Sequence, residues 1–214
     1  MAIRRERANI DPVSPEVAVP DPDRVVRDED WYGRDLSGST WSGYTFFDTD
    51  MTETAGEAVV FDSCVFAGVK FNAARFSSSA FTNCTFRRCT FFDTKFEQCK
   101  AVGALFQQCT FTLFSVSGGD WSFTALPGAQ LRKASFEGVR MRETDLTAAR
   151  LEEATLTGVD LSGALLHGAD LTGADLRGSD LSALDPLTVK VARARIDTDQ
   201  AAVIATALGF DVGW

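Results

Sequence analysis

Every fifth residue from Trp31 to Leu181 is large and apolar, apart from Gly56 and Ala101, so 29 of 31 positions keep one unbroken phase. A chain that is 45% hydrophobic does not produce that run by chance. The neighbouring columns are ordered around these centres. Two residues before the centre the side chain is mostly small or slightly apolar, as at Ala74, Cys84, Thr94, Ala149 and Ala174. Two residues after it stand 13 of the 17 glycines, and the residue just before it is often Asp. A period of five is neither the 3.6 of a helix nor the 2 of a strand. It suits a chain that turns one corner per five residues, sends the centre and the small residue inward, and stacks its coils edge to edge as a solenoid. The period by itself leaves the number of sides and the hand of the coil open.

Two stretches, ADLTGADLRGSDLS (169–182) and NCTFRRCTFFDTKFEQC (83–99), resemble pentapeptide-repeat proteins. The resemblance implies an all-β solenoid, a right-handed quadrilateral β-helix with four pentapeptides per coil. Positions 31–181 would then make about 7–8 coils, on the order of 36 Å of rod at the cross-β rise. Within that family, residues 31–210 are similar to the fluoroquinolone-resistance group that includes MfpA and the Qnr proteins. The Phe/Cys-rich middle, the Leu/Ala/Asp-rich second half, MRETDL (141–146) and ARIDTDQAAVIATALGF (194–210) carry the likeness. It implies a homodimer, joined through the C-terminus, that mimics duplex DNA and binds DNA gyrase, with topoisomerase IV as the related target.

Three segments depart from the repeat. Residues 1–30 hold four prolines and mixed charge, and read as a mobile or loosely draped arm before a repeat region at 31–185. The stretch 52–58 keeps the phase but lacks a centre at Gly56 and reads first as a plain irregularity; a bulge or short loop there would present Glu53 and Glu57 for a secondary contact. Residues 186–214 form a closing tail. Asp197 is placed to cap a helix with Gln200 as its capping-box partner, running to about Leu208 and stopping at Gly209. A solenoid exposes apolar core at its ends and needs such a cap. The apolar surface of Val203, Ile204, Ala207, Leu208, Phe210, Val212 and Trp214 exceeds what one coil end covers, and is expected to form the dimer interface.

The same frame absorbs the apparent chemistry. Cys64, Cys84, Cys89, Cys99 and Cys109 all occupy the small inward column, where a free thiol behaves as a small hydrophobe. A metal ladder through Cys84, Cys89, Cys99 and Cys109 is set aside, because four-sided coils should put them on different walls and the chain has one histidine, His167. Paired carboxylates for acid–base work need a cleft, and a rod filled with Phe and Leu offers none. The chain is therefore expected to be no enzyme, and to hold no cofactor or metal. With no long apolar run and no signal peptide it reads as soluble and cytoplasmic.

Charge is where function is expected. The net charge of −9 argues against direct nucleic-acid binding and favours basic partners. It is unevenly spread, with −7 over residues 1–60, +5 over 61–142 and −7 over 143–185. A belt of Asp145, Glu152, Glu153, Asp160, Asp170, Asp175, Asp180 and Asp185 could replace DNA phosphates against the basic saddle of a topoisomerase. Four-sided coils would place Asp160 and Asp180 on one wall and Asp170, Asp175 and Asp185 on the other three. The competing reading is a scaffold for an unrelated protein partner, in which aspartate at this position only keeps the surface wet. The basic middle, with Arg87, Arg88, Lys95 and Lys100, departs from simple mimicry of DNA.

Overall fold

A computed structural model describes residues 21–213. Its strands pair in parallel with residues 20 further along, as Val65 with Thr85 and Thr85 with Leu105. Twenty residues per coil is four pentapeptides, so the open question of the number of sides is settled at four. The chain is a parallel β-solenoid of about seven turns with one C-terminal helix. We number the walls by their inward centres. Phe66, Phe86 and Phe106 lie on wall 1, Phe71, Phe91 and Phe111 on wall 2, Phe76, Phe96 and Val116 on wall 3, and Phe61, Phe81 and Trp121 on wall 4.

The interior follows from the stacking. In-register coils put identical rings on top of one another, so Phe46, Phe66, Phe86 and Phe106 stack with centroids 4.9, 4.9 and 4.5 Å apart and planes within 7°. Rings on adjoining walls meet edge-on, as Phe61 against Phe66 at 75°. Both arrangements suit the quadrupole of an aromatic ring. The small column fills the corners, and its thiols and hydroxyls donate to carbonyls of the preceding coil. Cys84 Sγ reaches Phe61 O at 3.4 Å, Thr94 Oγ1 reaches Phe71 O at 2.7 Å and Ser179 Oγ reaches Leu156 O at 2.6 Å. Cysteine, threonine, serine and alanine are thus interchangeable in size, and the first three also satisfy buried backbone.

Each corner is left-handed. Every fifth residue from Asp28 to Gly178 has a positive φ, with Gly158 at 63° and Arg88 at 53°. Glycine adopts that conformation freely, whereas a side chain there costs roughly 1–2 kcal/mol.

Wall geometry depends on the residue before the centre. Where it is Thr or Ser, as at Thr85, Thr110, Ser135 and Thr155, the centre is the middle of a three-residue strand. Where it is Asp, as at Asp145, Asp160, Asp170 and Asp180, the pairing shrinks to a single bridge and the centre lies in a turn. The carboxylate accepts the N–H two residues on, such as Thr147 N to Asp145 at 2.9 Å and Ser182 N to Asp180 at 2.9 Å, an Asx turn that competes with the strand.

Several expectations are revised. Segment 52–58 does not leave the coil: Ala55–Glu57 is a strand, with Gly56 in register opposite Phe76. The missing centre is filled from the side, since a Cβ on Gly56 would lie 2.4 Å from Val59 Cγ2. Ala101 stays buried in its column, and the small column carries one large side chain, the buried Phe114, packed against Phe91, Phe96, Phe111, Trp121 and Phe136. Both ends of the coil lie further out than positions 31 and 185. Val25–Arg27 pairs with Thr45–Phe47 and buries Val26. At the other end Asp185-Pro186 turns out locally, Gly168 N–H reaching Thr188 O, but the register resumes and Lys190 and Arg195 bridge Asp170 and Asp175. Residues 1–20 of the expected arm lie outside the described residues.

Candidate partner-binding surface

The acidic belt is distributed as four-sided coils require. Asp160 bridges Asp180 on wall 4, Asp170 lies on wall 2, Asp175 on wall 3, and Asp145 on wall 1. Asp185 follows the wall 1 column at the local turn, accepting Leu187 N at 2.9 Å and Thr188 Oγ1 at 3.1 Å. Glu152 lies on wall 2, and Glu153 at the corner after it has a φ of 58°.

Most of these carboxylates already hold a base. Arg142 donates to Asp160 at 2.6 Å, Lys190 to Asp170 at 3.4 Å, and Asp175 receives Arg177 at 2.7 Å and Arg195 at 3.4 Å. Glu152 is bonded by Arg150, and Glu153 lies 3.5 Å from Lys133 and 3.9 Å from Arg132. Arg132, Lys133, Arg142, Lys190 and Arg195 lie outside residues 143–185, so a count of charge along the chain misses them. Stacking at a 20-residue step is the signal that would have found most of them: Lys133 and Glu153, Asp170 and Lys190, and Asp175 and Arg195 are each successive members of one column. Among the described residues, Asp145, Asp180 and Asp185 have no lysine or arginine within ion-pair distance. They are the part of the belt without an ion pair, although Arg142, bound to Asp160, also lies within electrostatic reach of Asp180.

Protonation follows the same contacts. Partial burial opposes ionisation of Asp160, but the Ser162 hydroxyl and the Arg142 guanidinium outweigh it and hold the carboxyl below its ordinary range. Asp170 is lowered first by its hydrogen bond from Thr172, and Asp175 by its bond from Arg177. In the core, burial pushes the Cys99 thiol up to about 11 and raises Cys89 as well. Cys64, Cys84, Cys89 and Cys99 are buried and Cys109 is partly so. One expectation about them changes: Cys89 and Cys109 share wall 2 and Cys64 and Cys84 share wall 1, each pair one coil apart. Even so, no group of three or more His, Cys, Asp or Glu among the described residues is placed to hold a metal ion. His167 is on the outer side of wall 1.

The closing helix spans Thr198–Ala207, with the capping box between Asp197 and Gln200 in place and Gly209 in the left-handed region after it. Gln200 does more than the capping-box pattern implies. Its Oε1 accepts Asp197 N at 2.8 Å while its buried Nε2 donates to Leu176 O at 2.6 Å and Ser179 O at 2.7 Å, closing the last coil. Of the residues expected at a dimer interface, Ile204 packs partly against the core. Val203, Leu208, Phe210 and Val212 are exposed by 44%, 46%, 66% and 39%, and Ala207 is exposed too. Trp214 lies outside the described residues. Glu53 is a left-handed corner with a φ of 57°, and Glu57 is an exposed strand residue on wall 3. No described helix is long and apolar enough to cross a membrane.

Residues 144–182 match the family model for pentapeptide repeats, in eight copies. No curated protein matches the chain by sequence. Among solved structures, a trypsin-treated variant of QnrB1, a plasmid-mediated fluoroquinolone resistance protein, superposes with a TM-score of 0.70 at 23% identity. The match covers 88% of this chain and 97% of that one. A second trypsin-treated QnrB1 variant gives a TM-score of 0.60 at 23% identity, over 87% and 98% of the two chains. At that identity the likeness speaks for the fold.

Proposed function

We propose that this chain, whose residues 144–182 match the pentapeptide-repeat model, is a DNA-mimicking homodimer that binds bacterial DNA gyrase and modulates it or protects it from quinolones or natural-product poisons. The observation that carries the reading is a juxtaposition at one end of the rod. The acid-rich third, in which Asp145, Asp180 and Asp185 have no ion-pair partner among the described residues, runs directly into a helix and tail whose Val203, Leu208, Phe210 and Val212 face water. Burying those side chains against a second copy would set two acidic thirds back to back, as one rod about twice as long. The basic groove that normally receives duplex DNA would meet carboxylates in place of phosphates, with an attraction that weakens steeply with salt. The likeness in shape to a fluoroquinolone resistance protein supports the choice of partner.

A scaffold for another protein partner is the second reading. It is favoured by the ion pairs that already occupy Asp160, Asp170, Asp175, Glu152 and Glu153.

A supercoiling assay with and without a quinolone separates the two. Gyrase inhibited or protected by micromolar dimer supports mimicry, and no effect in either arm sinks it. The informative variant is Asp145→Asn with Asp180→Asn and Asp185→Asn. An amide oxygen still accepts the turn N–H, so the coil is kept while the unpaired charge is removed. Gyrase binding should fall at least tenfold and lose part of its salt dependence.

A further inference from the structure

We propose that a notch on the edge between walls 1 and 2 binds an acidic segment of a protein partner, with Arg87 and Arg88 as its carboxylate receptors. The proposal rests on the basic middle of the rod and stands apart from the identity of the partner that meets the acidic third. The bases elsewhere in the rod mostly have a fixed role: Lys70, Arg75, Arg140 and Arg142 each hold an aspartate, and Arg27 lies 4.1 Å over the Phe47 ring. Arg87 and Arg88 are consecutive, exposed, and have no carboxylate within ion-pair distance among the described residues. Asp48, which folds over Gly68 on the same edge, stays beyond that distance from both.

The two guanidinium groups stand at a notch of about 490 Å³ lined by Phe47, Ala67, Arg87, Arg88, Gln107 and Gln108. Its shape follows from the columns. Phe47, Ala67, Arg87 and Gln107 succeed one another at the coil step on wall 1, so the small Ala67 leaves a gap between two large side chains. From Phe47 to Gln107 the notch spans three coil steps, roughly 14 Å. The chemistry is that of a carboxylate receptor with an apolar floor. Methylenes of a glutamate would lie on Ala67 and Phe47, its carboxylate would take a guanidinium fork, and the Gln107 and Gln108 amides would donate to the remaining oxygens. The span takes two acidic side chains of an extended segment, which lie about 7 Å apart when they point to the same side. Nucleic acid fits poorly, because Asp28 and Asp48 on one side and Asp145 on the other would repel a continuing polyphosphate.

The test is a titration of the whole chain with acetyl-tetraglutamate amide, read on the arginine side-chain Nε–Hε resonances. Acetyl-tetraglutamine amide and inorganic phosphate serve as the other arms. Saturable shifts of two arginine signals are expected, with affinity lowered at least tenfold by Arg87→Gln with Arg88→Gln and unchanged by Lys95→Gln with Lys100→Gln. An unaltered melting midpoint of both variants shows that the coil is intact. Equal loss in the lysine variant would mean diffuse attraction and overturns the site. Phosphate binding as tightly as the glutamate peptide, or no saturation at all, overturns it too.

Discussion

At the residue scale, one position in the repeat carries two meanings. Aspartate before the centre reads as a charge on the surface, and its first role in the fold is to accept the N–H two residues on. Asp35, Asp50, Asp120 and Asp145 all do so, at 2.9 to 3.1 Å. Their spacing is legible in the sequence, but the turn is not, because a carboxylate on the surface and a carboxylate folded onto backbone have the same periodicity. The two irregular centres show the complementary case. Gly56 reads as a gap in the pattern, yet the gap is filled by Val59, a larger side chain three residues on whose contact runs across the coil. Gly56→Ala should therefore destabilise the protein by about 1–3 kcal/mol through overpacking, judged by urea unfolding. In a Val59→Ala background the same substitution should cost much less, since the added methyl enters vacated space. Additive losses would show that the two sites do not share one packing problem.

At the scale of elements, the strands and the helix differ in how directly they follow from sequence. The helix is announced by local signals: Asp197, Gln200 and Gly209 place its start and stop, and the observed Thr198–Ala207 agrees. The first and last coils are not, because Val25-Val26 sits among charges and Pro186 interrupts the phase while the ladder passes it by. Gln200 links the two kinds of element, as its carbonyl oxygen starts the helix and its amide nitrogen finishes the solenoid. Gln200→Glu keeps the acceptor for Asp197 N and removes both donors to Leu176 and Ser179. Leaving those buried carbonyls unpaired should cost on the order of 2–4 kcal/mol, in urea melts at neutral pH. It should also speed amide exchange in the last coil while sparing the Phe-rich middle, as expected where each coil contacts only its neighbours. Stability equal to the native chain would show that the cap is held by packing alone.

At the scale of the whole molecule, the question is what covers the helical end. The architecture was legible because a solenoid repeats one local solution, and the distribution of charge over four walls followed from the 20-residue coil. The pairing of that charge did not, since Arg142 and Lys190 act across coils and lie outside the acidic segment. The dimer is the next level up, and the packing of Ile204 changes which residue tests it. Because Ile204 leans on the last coil, Ile204→Glu should destabilise the cap, whereas Val203 and Phe210 face water and tolerate charge within one chain. Val203→Glu with Phe210→Glu should keep the melting midpoint measured at low concentration and convert dimers to monomers in light scattering. The same variant should lose gyrase protection, because each monomer offers only one acidic third and half the length of rod. A native chain that scatters as a monomer at tens of micromolar would remove the dimer. The rod would then be left to the scaffold reading, with the notch at Arg87 and Arg88 as its remaining point of contact.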